Sequence, residues 1–411
     1  MKVLLVHNRY RTSAPSGEDS AVRNEQRMLE KRGVSVVAFD RCNDDIDRSS
    51  AAARAAAAAN TIWSRRSRRE MLAAVRRVRP DIVHVHNTFA MLSPSVYGAC
   101  RAEGVPVVQT LHNFRFFCPS ALFLRDGRPC EECVDRSLLQ SVRHRCYRGS
   151  AGATATLAAM LSLHRAIGTY ANDVDRYITL TEFGRCKAIK GGIAEHKLVV
   201  KPNFVPDPPP MGAAAAAPGA AVRYVVYVGR LLEGKGAETL VAAWRHLPSV
   251  RLMVVGDGAL RPELEATARR ERLNVEFAGV QGRDAVMKAI ANAAFLIMPS
   301  VCYETFGLAI AEAFACGTPV LASRIGSLNE LVDEGVTGRK FTAGDHEDLA
   351  RVVRAMLADE LALRRMRAAA RAYFEAHLTE DKNFSQLMRI YSDVIAEKAR
   401  IPASNRTMRR A

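Results

Sequence analysis

The sequence predicts an α/β protein made of two doubly wound, parallel-sheet, Rossmann-like domains facing a cleft. Three observations predict it. The 411 residues exceed what one core usually holds and suit two domains of roughly 200 residues each. Short Val, Ile and Leu runs alternate with helical stretches in both halves, as strands buried on both faces of a parallel sheet do. Between the halves, residues 205–221 (VPDPPPMGAAAAAPGAA) gather proline, glycine and alanine without periodicity, the composition of an interdomain linker.

In the first domain, 1–204, strands are expected at 3–6, 35–39, 82–85, 107–110, 177–180 and 198–200. In the second, 222–380, they are expected at 224–228, 252–255, 275–277, 295–298 and 320–322. The alanine run 51–59 leads into Thr61, Ile62 and Trp63 and reads as helix. Residues 381–411 form a last segment: 381–396 has a helical period and is expected to pack back on the first domain, and a basic tail follows.

No window supplies the roughly 20 apolar residues of a membrane span. The best, 152–163, is broken by Thr154, Thr156 and Ser162. The N-terminal apolar run is too short for a secretion signal, so the expected location is the cytoplasm, with peripheral contact at its membrane face as an option. The formal charge of +16 fits nucleic acid, an anionic membrane or a phosphate-bearing substrate. The basic stretch Arg65, Arg66, Arg68, Arg69, Arg76, Arg77 and Arg79 lacks interleaved aromatics or a nucleic-acid module, which weighs against the first. Solvated helix surface and membrane docking remain its two readings. Nine cysteines make an odd count that argues against a disulfide framework. Cys118, Cys130, Cys133 and Cys146 include a Cys-x2-Cys and could bind one structural zinc; free loop thiols are the other reading.

In doubly wound sheets, ligands bind beyond the carboxyl ends of the strands. There, the loop GRLLEGKG (229–236) brings Arg230 and Lys235 to the start of a helix expected at 237–245, an arrangement suited to a diphosphate. A second stretch, PSVCYETFGLAIAEAFACGT (299–318), places Glu304 after a buried strand and Glu312 two turns into the following helix. Phe306, Gly307 and Leu308 offer amides at that helix's start. Glu304 alone could be a charge favoured by the helix dipole. Glu312, among Ala309, Ile310, Ala313, Phe314 and Ala315, is costly there without a ligand or partner.

The Glu-x7-Glu element formed by Glu304 and Glu312, together with GRLLEGKG, VVGDG (254–258) and GSLNELVDEGVTGRKF, closely resembles the retaining glycosyltransferase family 4, of two-domain B-type architecture, over nearly the whole chain. The resemblance implies that Arg230 and Lys235 hold a donor diphosphate, Glu312 the ribose hydroxyls, and Glu304 hydroxyls of the transferred sugar. Gly17, in Ser16-Gly17-Glu18-Asp19, stands where the family usually has a Gly-Gly pair near the donor phosphates. His112, in TLHNFRFFCP, resembles the family's His-Asp element with Asn113 replacing Asp, and is expected near the sugar's C6 hydroxyl. His86 and Asn87, in HVHN (84–87), are placed on the acceptor side.

The implied activity is transfer of a sugar from a UDP- or GDP-sugar to a glycan or lipid-linked acceptor with retention, in cell-envelope or exopolysaccharide assembly. No residue reads as a nucleophile, so Glu304, His112, Arg230 and Lys235 carry catalysis through positioning and charge, with no required cofactor. The letters Asp-x-Asp at Asp45 and Asp47, and at Asp173 and Asp175, read as accidental. Two other classes stay open: a nucleotide-sugar-binding protein of this fold without turnover, and a nucleotide-sugar epimerase.

Overall fold

The computed structural model describes residues 1–12, 16–46, 49–209 and 224–400. The linker read at 205–221 therefore lies outside the described residues beyond 209, as do Asp47 and the basic tail from 401. The chain forms two compact units: Met1–Phe123, Glu131–Pro202 and Asn383–Ala411 in the first, Leu124–Cys130 and Asn203–Lys382 in the second.

The first unit is built on β1 (Lys2–Arg9), β2 (Ser35–Cys42), β3 (Ile82–Asn87) and β4 (Val107–Thr110). A two-residue hairpin, β5 (Leu124–Arg125) with β6 (Arg128–Pro129), belongs to the second unit. The first sheet resumes with β7 (Arg176–Thr179) and β8 (Leu198–Val200). Its order is β2-β1-β3-β4-β7-β8, every pair parallel. Val3, Leu4, Leu5 and Val6 are wholly buried and all six residues of β3 are buried, because crossover helices cover both faces.

The second sheet comprises β9 (Val225–Val228), β10 (Leu252–Val255), β11 (Val275–Gly279), β12 (Leu296–Met298), β13 (Val320–Ser323) and β14 (Gly338–Phe341). Its order is β11-β10-β9-β12-β13-β14, again all parallel. Winding reverses between β1 and β3 in the first sheet and between β9 and β12 in the second. Such switch points open a crevice at the strands' carboxyl ends, and the loops after β9 and β12 are GRLLEGKG and the Glu304 segment.

Three strands escaped the sequence reading. β14 reads Gly-Arg-Lys-Phe and lies at the sheet edge, where no apolar run is needed; the β5–β6 hairpin is too short to show a period. The C-terminal helix Glu380–Arg400 buries Leu387, Ile390, Tyr391 and Val394. It is tied within the first unit by Arg176 to Glu397 (2.6 Å) and Lys398 to Asp175 (2.7 Å). Among the described residues, no helix is long and apolar enough to cross a membrane.

The second unit's core is centred on Trp244, fully buried among Leu252, Phe295, Phe341 and Val353, its indole N–H donating to the Val250 carbonyl at 2.8 Å. Trp244→Ala should cost that unit roughly 3–5 kcal/mol, read by chemical denaturation; a loss below about 1 kcal/mol would contradict this account of the core.

Candidate active site

The second unit's site begins with backbone stitching. Gly229 and Leu231 donate to the carbonyls of Val255 and Asp257, fixing GRLLEGKG against VVGDG. The Gly234 carbonyl then accepts from the amides of Val301 (2.9 Å) and Cys302 (3.2 Å), joining the loops after β9 and β12. Gly236 has φ +74° and caps the helix Ala237–Trp244; a Cβ there would fall 1.8 Å from the Pro299 carbonyl oxygen. Only glycine allows that approach.

The approach seats Lys235 Nζ 2.7 and 2.9 Å from the two carboxylate oxygens of Glu304. Ser300 Oγ donates to the same carboxylate at 2.7 Å, and Ser327 Oγ donates to the Glu304 carbonyl at 2.6 Å. Burial alone would raise the Glu304 pKa, but the Lys235 charge, the hydrogen bonds and the more distant Arg230 charge outweigh it and hold the group below the usual carboxylate range. Burial likewise works to lower Lys235, yet Glu304 holds it above its ordinary value. Both groups are therefore charged. Arg230 is exposed beside them, its carbonyl receiving the Tyr227 hydroxyl at 2.9 Å.

Gly307, at φ +82°, caps the helix Leu308–Ala315, and the amides of Phe306, Gly307 and Leu308 meet no acceptor among the described residues. Glu312 lies within that helix, half-buried, without a side-chain hydrogen bond among the described residues. Burial pushes its pKa up to about 6, offset only in part by Arg283.

In the first unit, Ser16 caps the helix Gly17–Lys31 in a reciprocal box with Asp19. Gly17 is thus the exposed first residue of a helix. His112, just past β4, has Nε2 2.9 Å from His86 Nδ1. Burial, then the neighbouring His86, push His112 well below the usual imidazole range; burial and His84 take His86 down to about 3. Both line a small cavity with Asn87, Asn113, Arg115 and Tyr170. Asn87 Oδ1 accepts from the Phe89 amide at 2.9 Å, and Asn113 donates to Glu18 at 3.1 Å.

Sequence reasoning missed the supporting groups: Ser300 and Ser327 around Glu304, and a buried set of Glu25, His84 and Lys201 beneath His86. Polar residues at alternating positions of the buried strand HVHN were the available signal. Asp173 accepts from Arg101 (3.0 Å) and Asp175 from the Val107 amide (2.8 Å), so both serve the scaffold. All seven arginines of 65–79 are exposed; Arg66 pairs with Glu70 and Arg76 with Glu103. Cys118 Sγ lies 3.2 Å from Ser120 Oγ. The four cysteines read as a zinc set do not gather into a metal-holding group among the described residues, Cys130 standing with the second unit.

Comparison with known proteins places both halves among sugar transferases. Residues 17–207 match the model for Glycosyltransferase Family 4 and residues 219–373 that for Glycosyl transferases group 1. Glycogen synthase of Mycobacterium tuberculosis is 35% identical over 164 residues, 38% of this chain and 39% of that protein. The matched stretches span 26% to 47% of the curated relatives' own lengths. Among solved structures, sucrose-phosphate synthase of Thermosynechococcus elongatus superposes with TM-score 0.72 at 20% identity, covering 96% of this chain and 99% of that one. Anabaena HepE in complex with UDP-glucose gives TM-score 0.65 at 17% identity, covering 96% and 100%.

A carboxyl whose pKa rises on folding stabilises the fold at low pH and loses that contribution as pH climbs through the folded value. Glu312→Gln should therefore be more stable than the natural protein above pH ~6, by about 2 kcal/mol, the gap closing below pH ~4.5. Denaturant titrations at pH 5 and 8 check this; equal stability at both would refute the buried, unpartnered carboxylate.

Proposed function

The chain belongs to the two-domain B-type glycosyltransferases, its halves of the family 4 and group 1 kinds, and from that premise we propose that it transfers a hexose from a UDP- or GDP-sugar to a glycan or lipid-linked acceptor with retention of configuration. The observation that carries this reading is the charged Lys235–Glu304 pair at the second sheet's switch point, beside the open amides of Phe306, Gly307 and Leu308. A diphosphate offers Lys235 more negative charge than Glu304 does, and the amides at the helix start favour it further. Arg230 adds a fork of donors from the exposed side. Glu304 then accepts from hydroxyls of the transferred sugar and Glu312 from those of the ribose. HepE binding UDP and UDP-glucose on the same fold supports a nucleotide-sugar donor.

In the first unit, Gly17 at its helix N-terminus is assigned to the donor phosphates, His112 to a sugar hydroxyl, and His86 and Asn87 to the acceptor side. Transfer with retention breaks the bond from the anomeric carbon to the diphosphate oxygen and forms the acceptor bond on the same face. The acceptor's proton passes to the departing phosphate oxygen. Arg230 and Lys235 stabilise the charge growing there, in the role a divalent cation fills in other transferases. The exposed arginines of 65–79 suit an anionic membrane that presents a lipid-linked acceptor in cell-envelope or exopolysaccharide assembly.

Incubation with UDP-, GDP- and ADP-sugars, with and without chelator, should release free nucleoside diphosphate from one donor regardless of chelator. Glu304→Gln should slow that release about 100-fold or more, while Glu312→Ala should chiefly raise the donor KM. Donor binding without release in the presence of candidate acceptors would point to a binding protein. Interconversion of the donor sugar with its diphosphate still attached would make the chain an epimerase.

A further inference from the structure

On the second unit, two histidines and a carboxylate stand together that the transfer reading leaves unused. The imidazoles of His246 and His346 have ring centroids 5.7 Å apart and planes 28° from parallel. Glu347 joins them, and one ligand atom from each of the three lies within 4.8 Å of the other two. His246 and Glu347 are exposed and His346 is half-buried, so solvent reaches the group. Among the described residues, none engages these three side chains in a hydrogen bond or an ion pair.

The backbone beneath the group is held by the unit's core. The helix Ala237–Trp244 starts at Gly236 beside Lys235, and His246 lies just past its other end, roughly 12 Å along the axis. The His246 amide donates to the Ala243 carbonyl at 3.0 Å, and the His246 carbonyl accepts from Arg354 at 2.9 Å. Trp244 and Leu247, close by on either side, are buried. His346 and Glu347 open the helix His346–Ala358, whose cap Asp345 accepts from the amides of Glu347 and Asp348 at 3.0 Å each. Leu349 and Val353, farther along that helix, share one core with Trp244. Two segments distant in sequence thus present their ligands from fixed backbone. Ligand atoms about 2.1 Å from a zinc ion stand closer together than these do, so rotation of the exposed side chains closes the three on one ion.

A helix start by itself favours anions and opposes a cation. Here the Asp345 carboxylate already fills that role. The nearby arginines are engaged elsewhere: Arg354 with the His246 carbonyl, Arg351 with Asp348, and Arg245 with Glu271. Two imidazoles and one carboxylate suit zinc, copper or nickel and are a poor set for magnesium or calcium, which prefer oxygen ligands.

We propose that His246, His346 and Glu347 form a surface site for a divalent transition metal of the zinc class, with water completing its coordination. A bound ion ties the turn after the helix Ala237–Trp244 to the start of the helix His346–Ala358. It braces the far end of the helix that begins at the donor loop and touches no reacting group. The site does not rest on the transferase reading.

Calorimetric titration of Zn2+ into the full chain tests this, with Mg2+ as the comparison cation and His246→Gln, His346→Gln and Glu347→Gln titrated in parallel. All three positions are at the surface, so each variant should fold, which denaturant titration in the presence of chelator checks. The natural protein should bind one equivalent of zinc through this site, and each substitution should weaken that binding at least about tenfold. Zinc should also raise the thermal midpoint of the natural protein more than that of His246→Gln. Zinc taken up by cysteine thiols is common to all four proteins and cancels in the comparison. Equal zinc affinity and stoichiometry in the natural protein and any one folded variant, or displacement of zinc by magnesium at equal concentration, overturns the proposal.

Discussion

The second unit's chemistry depends on one ion pair, Lys235 with Glu304. Its partners come from loops on either side of the point where winding reverses, and those loops meet because Gly236 lets the Pro299 carbonyl approach where any side chain would collide. Taking two charges out of water is expensive, and a buried pair is weak evidence for stability by itself. A pair that is mostly buried, further hydrogen-bonded by Ser300 and bordered by vacant helix-start amides is better understood as a poised binding group. On the transferase reading proposed above, that group is Lys235, kept in place for a donor diphosphate.

The first unit repeats the device with a different result. Glu25 and Lys201 also pair in the interior, but their surroundings are histidines instead of open amides. The C-terminal helix contributes Asn383 and Tyr391 to the same network. That helix thus supports the groups at the ends of β3 and β4 as well as covering apolar surface. In each unit a carboxylate–lysine pair lies near the strand ends and sets the electrostatic state of the groups above or beside it.

Much of this was legible in the sequence because buried parallel strands must be apolar. The runs at 107–110, 198–200 and 252–255 match their strands residue for residue, and the Glu-x7-Glu spacing marks a loop and a helix whose separation the fold preserves. β14 was not legible because an edge strand can be polar and still complete a ladder. Glu25 and Lys201 were not legible because a charged residue on a helix or at a strand end ordinarily points to water, and only tertiary packing decides otherwise. The cysteines left zinc and free thiols both open because Cys-x2-Cys spacing gives proximity along the chain, while four-fold coordination needs all four thiols around one point.

The most direct test of the central claim, that Lys235 is held by Glu304 as a diphosphate-binding cation, is a calorimetric titration. Nucleoside diphosphates and the matching monophosphates would be titrated into the natural protein and Lys235→Ala. The account predicts tighter binding of one diphosphate than of its monophosphate, with at least about a tenfold loss for the diphosphate in the variant and a smaller loss for the monophosphate. Equal diphosphate affinity in the two proteins would contradict it.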